Sequence, residues 1–108
     1  LDREKWRVSE LTAHQAPTAA VAEDFDGDGN LDIAVANYAS SDVSLLRGDG
    51  QGHFNPPVHS CSGPKPITST AGDFDGDHHP DLVVGNLTTA AVRLLLSIEK
   101  STVAGEQR

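Results

Sequence analysis

Apolar positions in this chain fall into short runs separated by polar, glycine- and proline-rich punctuation. The runs are "TAAVAE" (18–23), "LDIAVAN" (31–37), "VSLLR" (43–47), "HFNPPVHS" (53–60), "ITSTAG" (67–72), "DLVVGN" (81–86) and "VRLLL" (92–96). They are rich in Val, Ile, Leu and Thr and bounded by Gly, Pro, Asn and Ser, which predicts strands. "KWRVSEL" (5–11) reads as one more strand, with Trp6 as a packing residue. No stretch keeps a helical period over three turns, so the fold class expected is all-β. Residues 98–108 are expected to form an irregular tail.

The runs occur twice in the same order. Shifted by 49 residues, the two halves align without a gap, Pro17 on Pro66, Ala22 on Ala71, Val35 on Val84 and Asn37 on Asn86. Val43, Leu45 and Leu46 fall on Val92, Leu94 and Leu95. Four strands in such a unit match one four-stranded antiparallel blade of a β-propeller, which takes roughly 40–50 residues. The first strand of each unit is small-residue rich (Ala19, Ala20, Ala22; Thr68, Ser69, Ala71), as suits strands crowded around an axis. The middle strands carry apolar residues at successive positions, as when both faces of a sheet are covered. The expected organisation is an incomplete propeller. Residues 1–12 supply the last strand of a preceding blade, 13–60 a first blade and 61–97 a second blade lacking its fourth strand.

Two such units cannot close a ring, so the expected partners are further blades of a larger propeller or other copies of the chain. The 108 residues suffice for one small domain with a modest core. No run of 18 apolar residues and no signal-peptide pattern occurs, so no membrane span is expected. The chain reads as part of something longer. A lone Cys61 excludes an internal disulfide and reads as a small hydrophobe.

Charge changes the picture most. The net charge is −8, and the eight aspartates of two loops account for all of it. A chain so acidic lacks the basic face that nucleic acid requires. The loops are "DFDGDGNLD" (24–32) and "DFDGDHHPD" (73–81). Their alternating aspartates can converge on one side of a curling backbone, and Gly27 and Gly29 permit the left-handed turns this needs. Two carboxylates about 4 Å apart repel by roughly 4 kcal/mol at an effective dielectric near 20. Four would force the loop open without a cation between them. Hard oxygen ligands on a flexible loop suit Ca²⁺. Position seven, Asn30 or His79, would offer its backbone carbonyl. An EF-hand is excluded, because position twelve is Val35 or Val84 rather than Glu and the flanks read as strand. A metal-free Asp/Gly turn is the competing reading. In the second loop His78 replaces a glycine and Pro80 stiffens the chain, so weaker calcium binding is expected there. Adjacent His78 and His79 diverge in an extended loop, which disfavours zinc.

"AVAEDFDGDGNLDIAVAN" and "STAGDFDGDHHPDLVVGN" resemble FG-GAP repeats, also described as VCBS-type, which build the propeller of integrin α subunits. The resemblance spans roughly residues 13–96. It implies two structural Ca²⁺ sites at the blade edge, held by Asp24, Asp26, Asp28, Asn30 and Asp32 and by Asp73, Asp75, Asp77, His79 and Asp81. It also implies an extracellular or cell-surface setting and a non-catalytic role in adhesion or in protein or glycan binding. Two alternatives stand beside that role: an accessory domain of a secreted enzyme, for example a polysaccharide-degrading one, and a self-assembling unit.

Other motifs weigh less. Arg47-Gly48-Asp49 spells an adhesive tripeptide, but "RGDGQG" is mostly turn chemistry. Asn86-Leu87-Thr88 fits a glycosylation sequon. The paired carboxylates are better read as metal ligands than as glycosidase acids, and no nucleophile elbow exists. The chain is expected not to be an enzyme.

Overall fold

A computed structural model describes residues 8–89 and 91–95. Trp6, Leu96 and the tail from 98 lie outside the described residues, as does the place of a fourth strand in the second unit. Seven strands form two antiparallel sheets. β1 (Pro17–Glu23), β2 (Asp32–Asn37), β3 (Asp42–Leu46) and β4 (Val58–Cys61) pair in chain order in the first. β5 (Pro66–Gly72), β6 (Asp81–Asn86) and β7 (Ala91–Leu95) do so in the second. No helix occurs among the described residues, and none is long and apolar enough to cross a membrane.

The repeat is kept at the level of hydrogen-bond register. Pro17 pairs with Asn37 and Glu23 with Asp32, and 49 residues on Pro66 pairs with Asn86 and Gly72 with Asp81. Each first pair is followed by a register shift, after Pro17 and again after Pro66. Proline donates no ladder hydrogen bond, which suits it to such an irregular strand start. β1 and β5 lie side by side. The Thr18 hydroxyl is 3.0 Å from the Pro66 carbonyl and 3.2 Å from the Ala36 carbonyl, so one proton serves both strands.

The core is the seam between the sheets. Phe25, Ala34 and Val43 from the first pack with Leu82 and Val84 from the second, and Val21, Leu45, Ala71 and Leu95 border them. β2 is buried on both faces along most of its length, as its continuous apolar run predicts. The second sheet leaves its far face open. Val43 is 4% exposed, but its equivalent Val92 is 70% exposed. Phe25 is buried, whereas its equivalent Phe74 is exposed.

Two expected elements are corrected. Residues 8–11, the described part of the expected first strand, form no strand. The fourth strand does not run over 53–60. Phe54 makes a lone bridge to Gly48, and β4 begins only at Val58, because Pro56 and Pro57 cannot donate to a ladder.

Candidate metal centres

Both aspartate loops leave the end of an inner strand and return into a middle one. Asp32 and Asp81 open β2 and β6 at 0% and 1% exposure. Buried carboxylates require partners. Asp32 accepts the Phe25 N–H at 3.0 Å through Oδ2 and the Gly48 N–H at 3.0 Å through Oδ1. Asp81 accepts the Phe74 N–H at 3.0 Å. The first aspartate of each loop organises the turn. Asp24 takes the N–H groups of Gly27, Asp28 and Gly29 at 3.0, 3.1 and 2.8 Å. Asp73 takes those of Gly76, Asp77 and His78 at 2.9, 3.2 and 2.9 Å. The loops are therefore one structure built twice.

A carboxylate offers about four lone-pair positions. Oxygens of several of these carboxylates also approach one another across the loop. In the first loop Asp24, Asp26 and Asp32 each present an oxygen within 4.8 Å of the others, and in the second Asp73, Asp75, Asp77 and Asp81 do so. Asp28 stands outside the first trio. It is exposed and accepts the Asn30 N–H at 2.9 Å, a bond that holds its carboxyl below the ordinary range. Asn30 leans the other way, toward the 48–52 turn, where a side chain at Gly50 would meet its Oδ1. The second loop, read from sequence as the weaker, gathers the larger number of carboxylates.

Crowding has an electrostatic signature. The Asp26 carboxyl is pushed up to about 6 by burial first and then by the charge of Asp32. Asp75 is raised too, by desolvation and by Asp77. Arg47 Nε lies 3.7 Å from Asp26 Oδ2, which supplies only partial compensation. The folded chain holds its Asp26 proton more tightly than the unfolded chain, whose carboxyl titrates near the ordinary 3.8. Between about pH 6 and 3.8 the folded state binds more protons, so acidification favours it. In a chelator the melting temperature should rise as pH falls from 7 to 5. A monotonic fall over that range would contradict the crowding. Asp28, Asp42 and Asp49, held below the ordinary value, withdraw their support only in stronger acid.

The two loops touch. A side chain at Gly27 (φ +76°) would lie 2.5 Å from His79 Cε1. His79 therefore reaches across to the first loop, while its N–H bonds Asp77 at 3.0 Å. His78 stands in for Gly29 and adopts φ 71°, the left-handed region. That conformation costs a non-glycine residue about 1–2 kcal/mol, partly offset by the entropy a glycine would lose. His78→Gly should stabilise the chain by roughly 0.5–1 kcal/mol in chemical denaturation. A loss of stability would show that the ring makes a compensating contact.

The "RGDGQG" turn has a job that sequence reading missed. Gly48 anchors Asp32, Arg47 leans on Asp26, and Asp49 accepts the N–H groups of Gln51 and His53 at 2.7 and 3.2 Å. All three members of the tripeptide are engaged in holding the first loop or its turn. Asn86 of the sequon is buried, its amide nitrogen close to Gly63, so it is not open to modification in the folded chain.

A family model described as FG-GAP-like repeat matches residues 24–84, more than half of the chain. No curated protein and no solved structure gives a significant match.

Proposed function

The chain belongs to the FG-GAP-like repeat family, and from that premise we propose that it is a non-catalytic, calcium-pinned piece of a β-propeller. The observation that carries this reading is the convergence of aspartate oxygens within 4.8 Å in both loops, on backbones shaped by the same hydrogen bonds. The donor set is hard oxygen throughout, and crowding raises the Asp26 and Asp75 carboxyls. Both features fit Ca²⁺ rather than a softer ion. Asp24, Asp26 and Asp32 would hold one ion, and Asp73, Asp75, Asp77 and Asp81 the other. Bound calcium supplies positive charge where the chain has gathered negative charge. Asp32 and Asp24 meanwhile fix the loop to the turn after β3 and to its own backbone. Affinities of about 10⁻⁴–10⁻³ M, typical of extracellular modules, would suit a secreted or cell-surface protein.

The open face of the second sheet supports association with further blades. Val92, Leu94 and Phe74 are exposed where Val43, Leu45 and Phe25, their equivalents, meet the second sheet. A rigid assembly of this kind serves adhesion or the binding of a protein or glycan, beside an enzyme domain or alone.

Calorimetric titration with calcium tests the reading. Two sites are expected, with Asp26→Ala removing one and Asp75→Ala the other. Affinity at the first should weaken as pH falls through about 6, where protons compete for Asp26. A chain that takes up no calcium at millimolar concentration, or whose uptake ignores both substitutions, would refute it.

A further inference from the structure

A second kind of metal chemistry sits on the first blade, away from the aspartate loops. His14, Asp42 and His59 come from the segment before β1, the first residue of β3 and the middle of β4. Each presents a ligand atom within 4.8 Å of the other two. His14 Nδ1 lies 2.6 Å from Asp42 Oδ2, and the two imidazoles stack with centroids 4.0 Å apart and planes 12° from parallel. We propose that these three side chains form a binding site for a divalent transition metal, with zinc as the natural occupant.

The donor types argue for that class. Two imidazole nitrogens and one carboxylate oxygen suit zinc and its neighbours, whereas calcium prefers the all-oxygen loops. The dimensions agree. Two ligands on one tetrahedral zinc stand roughly 3.3 Å apart, given bonds of about 2.0–2.1 Å. His14 Nδ1 and Asp42 Oδ2 stand 2.6 Å apart and all three ligand atoms lie within 4.8 Å of one another, so an entering ion would replace the His14–Asp42 hydrogen bond and leave the fourth position to water.

The ligands are also held from behind. Asp42 Oδ1 accepts from Asn37 Nδ2 at 3.0 Å and from the Ser40 hydroxyl at 2.9 Å. The Ser44 hydroxyl is 2.9 Å from His59 Nδ1. The His14 backbone is fixed by its N–H to Asn37 Oδ1 at 3.3 Å, and the next residue by Gln15 N–H to Ser40 at 3.2 Å. Metal ligands are commonly oriented by such outer hydrogen bonds.

The internal repeat supplies a control. At the equivalent positions of the second unit stand Gly63 for His14, Ala91 for Asp42 and Arg93 for Ser44. The second sheet forms the same register without them. The cluster is therefore not needed for the three strands that the two units share. An ion there would pin the segment before β1 to the outer strand β4.

The test is calorimetric titration of the whole chain with ZnCl₂ in millimolar calcium, which keeps the aspartate loops from competing. One zinc per chain is expected. His59→Ala, on an exposed strand position, and Asp42→Asn should each weaken it at least about tenfold, and Ser40→Ala, which leaves every ligand in place, by about tenfold. Glu23→Gln, at an exposed carboxylate outside the cluster, should leave it unchanged. Cobalt in place of zinc should shift the ring resonances of His14 and His59. No zinc uptake, or uptake indifferent to His59→Ala and Asp42→Asn, would overturn the site and leave the cluster as a hydrogen-bonded clamp.

Discussion

Asp32→Ala is expected to cost the calcium-free chain about 2–5 kcal/mol, because it strips one buried and one half-buried N–H group of their acceptor at once. Those donors are Phe25 N–H and Gly48 N–H, both 3.0 Å from the carboxylate, which is itself fully buried. One holds the start of the loop to its end. The other holds the turn after β3. Losing both frees Phe25, a member of the seam between the sheets. The neighbouring carboxylate behaves oppositely. Asp26 is raised by burial and by Asp32, so Asp26→Asn relieves repulsion and should stabilise the chain in chelator. Urea unfolding of the two variants in EDTA reads both signs. Equal midpoints for Asp32→Ala and the parent would show that the two N–H groups find other acceptors. The pair separates the aspartate that anchors backbone N–H groups from the one that crowding destabilises, a distinction that equal spacing in the sequence hides.

Gly48→Ala should be nearly as damaging, at about 2–4 kcal/mol, and should weaken calcium binding at the first loop alone. A Cβ there would collide with the Leu31 backbone carbonyl and lie 3.0 Å from the Phe54 ring. A carbonyl in the chain cannot swing aside as a side chain can. The turn would have to lift, taking with it the Gly48 N–H that anchors Asp32 and the Arg47 side chain near Asp26. The hairpin that spells an adhesive tripeptide is thus read here as a clamp on the loop. Thermal unfolding with and without calcium, alongside Asp49→Ala, checks this. If Gly48→Ala leaves both melting temperatures untouched, the turn and the loop are independent.

Much of this architecture was legible because it is local or repeated. The 49-residue offset carries over into register, bulge position and loop hydrogen bonding, since each unit repeats the same residues at the same places. The period-two aspartates and the glycines between them announce a curled loop by themselves. Contacts between distant segments were not legible. Asp28 keeps its place in the sequence pattern yet stands outside the first trio, while Asp77, with the same bond to the N–H two residues on, stays inside the second cluster. The turn at 47–49 contacts the loop because β3 runs antiparallel to β2, with Leu46 paired to Ile33. Spacing alone does not reveal that. His14, Asp42 and His59 are brought together only by the pairing of β3 with β4 and by the anchoring of the segment at Asn37 and Ser40. The fourth strand, expected directly after the "RGDGQG" turn, starts only at Val58, because Pro56 and Pro57 cannot donate to a ladder.

The exposed face of the second sheet gives the repeat its outward logic. The first sheet shows what such a face needs, since Val43 and Phe25 are buried by the second sheet. Val92 and Phe74 are exposed, which is where the proposed further blade would stack. As proposed, calcium would stiffen each blade edge, and stacking of blade on blade would supply the apolar burial.

The most direct measurement is thermal unfolding of the chain in EDTA and then across a calcium series at neutral pH. With dissociation constants near 10⁻⁴–10⁻³ M, 10 mM calcium should add roughly 1.4–2.7 kcal/mol for each occupied site. The melting temperature should therefore climb steadily with calcium, and Asp26→Ala with Asp75→Ala should abolish the climb. A cooperative transition that stays at one temperature from chelator to 10 mM calcium would contradict the account, leaving the aspartates as turn residues that bind only their own backbone.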